Sequence, residues 1–199
     1  MTLLEQIPRE SFFEGSIPVL ETKRLALRAP TLEDVKTVTL LANDKRIAEN
    51  TARIPHPYTM ADAENFIGNA NRAGGEVVFL ITLRDGNIIG ACGITTLEEQ
   101  PELGYWLGVP YWGKGYATEG MHALIDYAFT DLDHESLNAG ARVTNPASRR
   151  VLEKCGFQWT GVGLYRIRAI KSSAPIDRFR LERGIWSAIK GWGRLRKVM

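Results

Sequence analysis

The chain has 199 residues, 44% of them hydrophobic and 24% charged, which suits one domain with a substantial core and leaves little room for a second. A net charge of +2 is too small to demand a nucleic-acid or membrane partner, although a pI near 8.6 keeps a locally basic surface open. Two cysteines, Cys92 and Cys155, are too few for a disulfide framework or a four-thiolate zinc site, so no metal is expected and the expected compartment is the cytoplasm.

Residues 1–20 carry Pro8, Gly15 and Pro18 without periodicity and read as an arm. They contain neither a signal-peptide run nor, with the rest of the chain, the roughly 18 apolar residues of a spanning helix. The domain proper is expected over 21–183. In RLALRAP, Leu25 and Leu27 alternate with polar or small residues in a strand stopped by Pro30. Thr31 and Asp34 form a capping box, from which an apolar stripe runs through Leu32, Val35, Val38, Thr39 and Leu41. A second helix opens at Thr59 and ends before Gly74 and Gly75. The runs 77–83 and 88–97 flank Asp85, Gly86 and Asn87 as a hairpin. A strand follows over 102–109, then a helix from Ala117, a strand over 137–143, and a helix with Pro146 inside its start and Gly156 past its end. Segments 157–170 and 175–182 alternate and pair around a turn at 171–174.

Between the strand at 102–109 and the next helix lies WGKGYA, residues 112–117. Gly113 and Gly115 there permit unpaired amides of a first helical turn to converge on an anion, which the helix dipole favours. Two glycines alone also fit a plain turn. Thr118 stands where a dinucleotide fingerprint needs a third glycine or alanine, and no GxxxxGK[ST] string occurs, so neither of those phosphate loops is present.

With these motifs in order, residues 21–183 resemble the GNAT superfamily of acyl-CoA N-acyltransferases, most closely the branch of the ribosomal-protein N-terminal acetyltransferases. WGKGYA fits the family loop (Q/R)xxGx(G/A) at Gly115 and Ala117, with Trp112 in place of Gln or Arg. PELGYWLGVPYWGKGYATEG (101–120) and NPASRRVLEKCGF (145–157) look like the branch's strand–loop–helix and its pantetheine-side helix. The resemblance implies an α/β fold: a mixed, mostly antiparallel sheet splayed at its central strands, with helices on both faces. It implies acetyl-CoA as co-substrate and an amine as acceptor, either a small molecule or a protein N-terminus.

The family's chemistry then assigns roles. A backbone N–H at a bulge among Trp106, Leu107, Gly108 and Val109 would hold the acetyl carbonyl. The amides of Gly113, Lys114, Gly115, Tyr116, Ala117 and Thr118 would hold the pyrophosphate, and Asn145 would face the cofactor arm or cap its helix. Relatives carry a tyrosine acid where Leu152 stands here, which leaves Ser148 as the candidate proton donor to the thiolate, or as a helix-start hydroxyl serving local backbone. Glu102 is the candidate general base, or an exposed strand-end carboxylate. His122 and His134 read as solvent-exposed, and Cys155 as packing. The acceptor would enter between 53–58 and the final hairpin, where Arg166, Arg168 and Lys171 suggest acidic character or a solvated strand face.

Residues 184–199 form a basic, apolar tail with Ile185, Ile189, Trp192 and Leu195 at helical spacing. Packing on its own domain or on a sister subunit is favoured over membrane or RNA contact, which leaves a homodimer open. The competing reading is a non-catalytic acyl-CoA-binding module.

Overall fold

The computed structural model describes residues 17–71, 76–97 and 100–192. Strands β1 (Leu20–Glu21) and β2 (Leu25–Arg28) lead through a 3-10 turn (Leu32–Asp34) into helices α1 (Val35–Ala42), α2 (Lys45–Ala48) and α3 (Met60–Asn69). Strands β3 (Val77–Leu83), β4 (Ile88–Leu97) and β5 (Gln100–Leu107) follow, then a second 3-10 turn (Val109–Tyr111) and α4 (Tyr116–Thr130). β6 (Ser136–Arg142), α5 (Pro146–Lys154), β7 (Gln158–Ile167), β8 (Ser172–Glu182) and α6 (Arg183–Trp192) complete the described chain. The short elements β1 and α2 are additions to the sequence reading; each is too brief to carry a periodic signal.

The eight strands form one sheet in the order β1-β2-β3-β4-β5-β6-β8-β7. All neighbours are antiparallel except β5 and β6, which are parallel and pair only at Glu102–Asn138 and Leu103–Ala139. Beyond Leu103 the two strands diverge. β3 reads as a continuous apolar run because both of its faces are covered: Phe79 and Ile81 point into the cluster under α4, Leu80 into the cluster under α1 and α3. In the first cluster Phe79 meets Tyr127 edge-on with centroids 5.6 Å apart.

The capping box at Thr31 forms as expected, with the Asp34 carboxylate accepting from the Thr31 N–H at 2.8 Å. That carboxylate also takes both arms of the Arg28 guanidinium at 2.8 Å each, tying β2 to the helix start. Burial opposes its ionisation, but Arg28 and Thr31 prevail and hold its pKa below the usual value. Leu32 departs from the expected stripe and stays exposed, because it lies in the 3-10 turn before α1 rather than on the helix. α3 closes at Asn69, earlier than the two glycines at 74 and 75, which lie outside the described residues. The side chain of Asn71, in the left-handed region (φ 58°), brackets the backbone of Val78 at 2.8 and 3.0 Å.

The last hairpin turns at 168–171, not at 171–174. Lys171 takes the left-handed conformation (φ 52°) and its N–H closes on the Arg168 carbonyl at 3.2 Å, so β8 starts at Ser172. The first part of the tail is helical and docked. The indole N–H of Trp186 donates to Asp126 on α4 at 2.7 Å, its ring lies 5.1 Å from Phe129, and Lys190 reaches Asp126 at 2.9 Å. The remainder of the tail, with Leu195, and the first sixteen residues of the arm lie outside the described residues. Among those described, no helix is long and apolar enough to cross a membrane.

Candidate active site

The glycine loop forms the N-terminus of α4. Gly113 (φ 75°) and Gly115 (φ 80°) both occupy the left-handed region that side chains disfavour, and Gly115 is the residue from which the helix springs. The loop is pinned from two directions. Arg24, immediately before β2, donates to the Lys114 carbonyl at 2.9 Å and to Glu119, in the first turn of α4, at 2.6 Å. Its guanidinium also lies 4.6 Å from the centre of the Tyr116 ring. The Glu119 carboxylate accepts from the Thr22 hydroxyl and the Arg24 N–H as well. Burial raises its pKa, these bonds lower it further, and the net position is below the usual value. From the other side, the indole N–H of Trp112 donates to the Leu107 carbonyl at 2.7 Å, fastening the loop to β5. Trp112 thus has a structural task, holding the loop against the end of β5.

A cavity of about 380 Å³ opens where β5 and β6 part, a size that ordinary ligand sites occupy. Of the residues singled out from sequence, Trp106, Leu107, Gly113, Gly115, Tyr116, Ala117, Thr118, Asn145 and Ser148 line it together. Gly108 and Val109 instead border a separate depression of about 270 Å³ beside α1 and α2. Lys114 and Glu102 line neither; the Lys114 ammonium lies 5.8 Å from the centre of the Tyr111 ring. Arg46, Arg150 and Lys154 border the main cavity and, among the described residues, no carboxylate does, so its field favours an anion, as does the start of α4. None of these three cations was singled out from sequence; Arg150 and Lys154 recur at i, i+4 on one face of α5, a spacing that could have been read.

The expected bulge at 106–109 is absent. β4 and β5 keep an unbroken register from Gly90–Leu107 to Leu97–Gln100, and the Gly108 N–H continues it by donating to the Ile89 carbonyl at 2.8 Å. The opening arises instead because β6 leaves β5 after two pairs. Since Gly108 points to β4, alternation directs the Leu107 amide and carbonyl away from β4, in agreement with the bond from Trp112 to that carbonyl.

Asn145 caps α5, its side-chain oxygen accepting from the Ser148 N–H at 3.1 Å, and it also borders the cavity. The Ser148 hydroxyl accepts from the phenol of Tyr105 at 3.1 Å. Tyr105, unremarked in the sequence, lines the same cavity, and burial pushes its pKa up to about 12 against the smaller, lowering effect of Ser148. Leu152 is buried in the core. Glu102 sits at the first of the two β5–β6 pairs, one residue before the strands part, and accepts from the Tyr165 hydroxyl at 3.0 Å. Gly140 on β6 lies beside this carboxylate, and a Cβ there would crowd the Ile176 side chain at 2.9 Å.

Residues 102 and 105 differ in parity on β5. Leu103 and Leu107 face the cluster under α4 with Tyr105, whereas Trp106 packs under α1 and α3, so Glu102 lies on the opposite face from the Tyr105–Ser148 pair. His122 is exposed as expected, but His134 is half-buried. Burial, aided by Arg183, lowers its pKa, because α6 folds over it and Arg183 donates to its carbonyl. Cys155 is buried and its thiol is pushed up to about 12.

Residues 24–158 match the acetyltransferase (GNAT) domain. An uncharacterised N-acetyltransferase, p20 of Bacillus licheniformis, is 30% identical over 149 residues, 72% of this chain and 84% of that protein. Among solved structures, RimJ of Mycobacterium smegmatis in complex with CoA-disulfide superposes with a TM-score of 0.73 at 18% identity, over 85% of this chain and 90% of its own. Spermidine N-acetyltransferase of Vibrio cholerae with CoA and spermine gives 0.71 at 21%, over 83% and 99%. Together with the eight-stranded mixed sheet, these matches show that the chain belongs to the GNAT superfamily of N-acetyltransferases.

Proposed function

We propose that the protein moves an acetyl group from acetyl-CoA to a primary amine, a protein N-terminus or a small-molecule amine, by direct attack within a ternary complex. The observation that carries this reading is the acid-free, cation-bordered cavity that runs from the start of α4 into the opening between β5 and β6. The amides of 113–118 take the pyrophosphate, and the pantetheine arm lies along the open edge of β5 past Asn145. The Leu107 amide, directed away from β4, is the donor suited to the carbonyl oxygen as it gains negative charge.

Parity on β5 divides the remaining work. The amine adds to the thioester carbonyl from the Glu102 face, and the tetrahedral intermediate then expels the sulfur toward the Ser148 face, so proton removal and thiolate stabilisation fall to different residues. Glu102 drains the amine's proton through water, and the Tyr165 hydroxyl orients its carboxylate. The acceptor enters beside 53–58 and the β7–β8 turn. Of the three cations read from sequence as a basic wall, Arg168 is paired with Asp62 at 3.5 Å, which weakens the hint of an acidic acceptor without removing Arg166 and Lys171 from it.

Calorimetry with acetyl-CoA, followed by acetyl transfer to a panel of amines, N-terminal peptides and ribosomal proteins, tests the reading. Binding and transfer are expected, with Glu102→Gln lowering kcat/KM by roughly 100-fold while acetyl-CoA affinity is kept. Absence of acetyl-CoA binding would overturn the proposal.

A further inference from the structure

A serine hydroxyl rotates freely and gives its proton to whichever acceptor is nearest. Two bonds restrict Ser148. Its N–H is held by Asn145 at 3.1 Å, which fixes the first turn of α5, and its Oγ accepts from the Tyr105 phenol at 3.1 Å. Both side chains border the same cavity. Where relatives carry a tyrosine, α5 has the buried Leu152; here a phenol reaches the site from the opposite wall, on β5.

We propose that Tyr105 is a positioning residue for acetyl transfer, its phenol occupying a lone pair of Ser148 and so turning the Ser148 proton into the cavity toward the departing sulfur. The inference rests on the acetyl-CoA reading above. In the reaction the amine nitrogen forms the C–N bond, the C–S bond breaks, and the electron pair goes to sulfur. The amine's surplus proton leaves through water to Glu102, which returns it to solvent, and the thiolate takes a proton from solvent in turn. Neither hydroxyl ends up without its proton, since a phenol and an alkyl hydroxyl are both weaker acids than a thiol with a pKa of about 8.5. The pair instead stabilises the thiolate by a charge-assisted hydrogen bond from Ser148. At working pH the phenol keeps its proton and can donate it to Ser148, which leaves the Ser148 proton free to point into the cavity.

The test needs no acceptor amine. The thiol of CoA bound to the full chain is titrated by thiolate absorbance; Cys92 and Cys155, both buried and pushed up, stay silent in the range scanned. Bound wild type should ionise the CoA thiol roughly tenfold more readily than free CoA, the effect of one hydrogen bond to a charged group. Ser148→Ala and Tyr105→Phe should each lose most of that gain, and the double variant should lose no more than Ser148→Ala alone. In turnover, Tyr105→Phe should lower kcat roughly tenfold with KM for acetyl-CoA unchanged. Should the phenylalanine variant fail to fold, a ring-fluorinated tyrosine at 105 keeps the shape and lowers the phenol pKa. The CoA thiol should then lose its depressed pKa as that phenol ionises. A wild-type thiol pKa in Tyr105→Phe, or losses that add in the double variant, overturns the proposal while acetyl transfer by the wild type leaves the function intact. Absence of CoA binding overturns both.

Discussion

Replacing Gly115 by alanine separates the cost of backbone strain from the cost of crowding. Gly115 sits at φ 80° and ψ 2°, where an L side chain costs about 1–2 kcal/mol. A Cβ there would also lie 3.3 Å from a guanidinium nitrogen of Arg24, the group that holds Glu119 and the Lys114 carbonyl. Gly113 has nearly the same φ, 75°, but a Cβ at that position meets nothing within 4 Å. Gly113→Ala should therefore incur strain alone, and Gly115→Ala strain plus displacement of the Arg24 fork. If the loop keeps its shape, the cost appears as lost stability, roughly 2–8 °C in Tm for a chain of this size. If it relaxes to negative φ, the amides turn from the anion and acetyl-CoA affinity falls by roughly 5- to 30-fold. Gly115→Asn, which tolerates the left-handed region better, should fall between wild type and Gly115→Ala. Calorimetric titration with acetyl-CoA and thermal melts of the four proteins report both quantities. The reasoning is refuted if Gly115→Ala matches wild type in both, or if Gly113→Ala is the more damaged of the two alanine variants.

Trp112→Phe removes the indole bond to the Leu107 carbonyl and should cost about 1 kcal/mol, seen as a Tm lower by about 2–4 °C and faster acetyl-CoA dissociation in stopped flow. Reversing the charge of Arg150 and Lys154 at the cavity border should weaken CoA binding roughly tenfold at low salt, with the gap to wild type closing at high ionic strength as exposed charges are screened; a gap that persists in salt would contradict an electrostatic role. The Asp34 carboxyl, held below its usual pKa, contributes stability that is fully present above the ordinary aspartate value of about 3.9 and is lost as pH falls through the lowered folded-state value. Asp34→Asn should thus melt below wild type by a constant margin at neutral pH, and the two melting curves should converge in acid; parallel curves throughout would show that the Arg28 pair does not contribute through ionisation.

Local chemistry made the loop, the capping box at Thr31, the helix start at Thr59 and the helix after Asn145 legible from sequence, because each signal lies within a few residues of its effect. What escaped depends on pairs far apart in the chain. Arg24 meets Glu119 across 95 positions and Tyr105 meets Ser148 across 43, and no periodicity encodes either. The position of the last turn depended on Lys171 accepting a left-handed conformation, which a lysine rarely signals. The expected bulge on β5 failed for a related reason: the resemblance supplied a cause for the cleft, whereas here the cleft comes from where β6 stops pairing, a property of two strands that neither sequence displays alone.

That stopping point carries an energetic consequence. A central strand that loses its neighbour leaves amides and carbonyls facing a cleft, and such groups are costly unless something bonds them. Trp112 satisfies the Leu107 carbonyl from within the chain, while the opening is braced on the amine side by contacts that do not close it. Arg142 of β6 donates to the Glu49 carbonyl at 2.7 Å, and the Arg168 N–H donates to the Ala52 carbonyl at 2.9 Å, so the segment after α2 is tied to the β6–β8–β7 side of the opening. An extended amide-bearing molecule laid along β5 would restore ladder bonds that β6 does not make, in the manner of an added strand. On the proposed acetyl-CoA reading the pantetheine arm has that character, so its binding free energy would include repair of a defect that the fold keeps open, and ligand and sheet stability would be coupled.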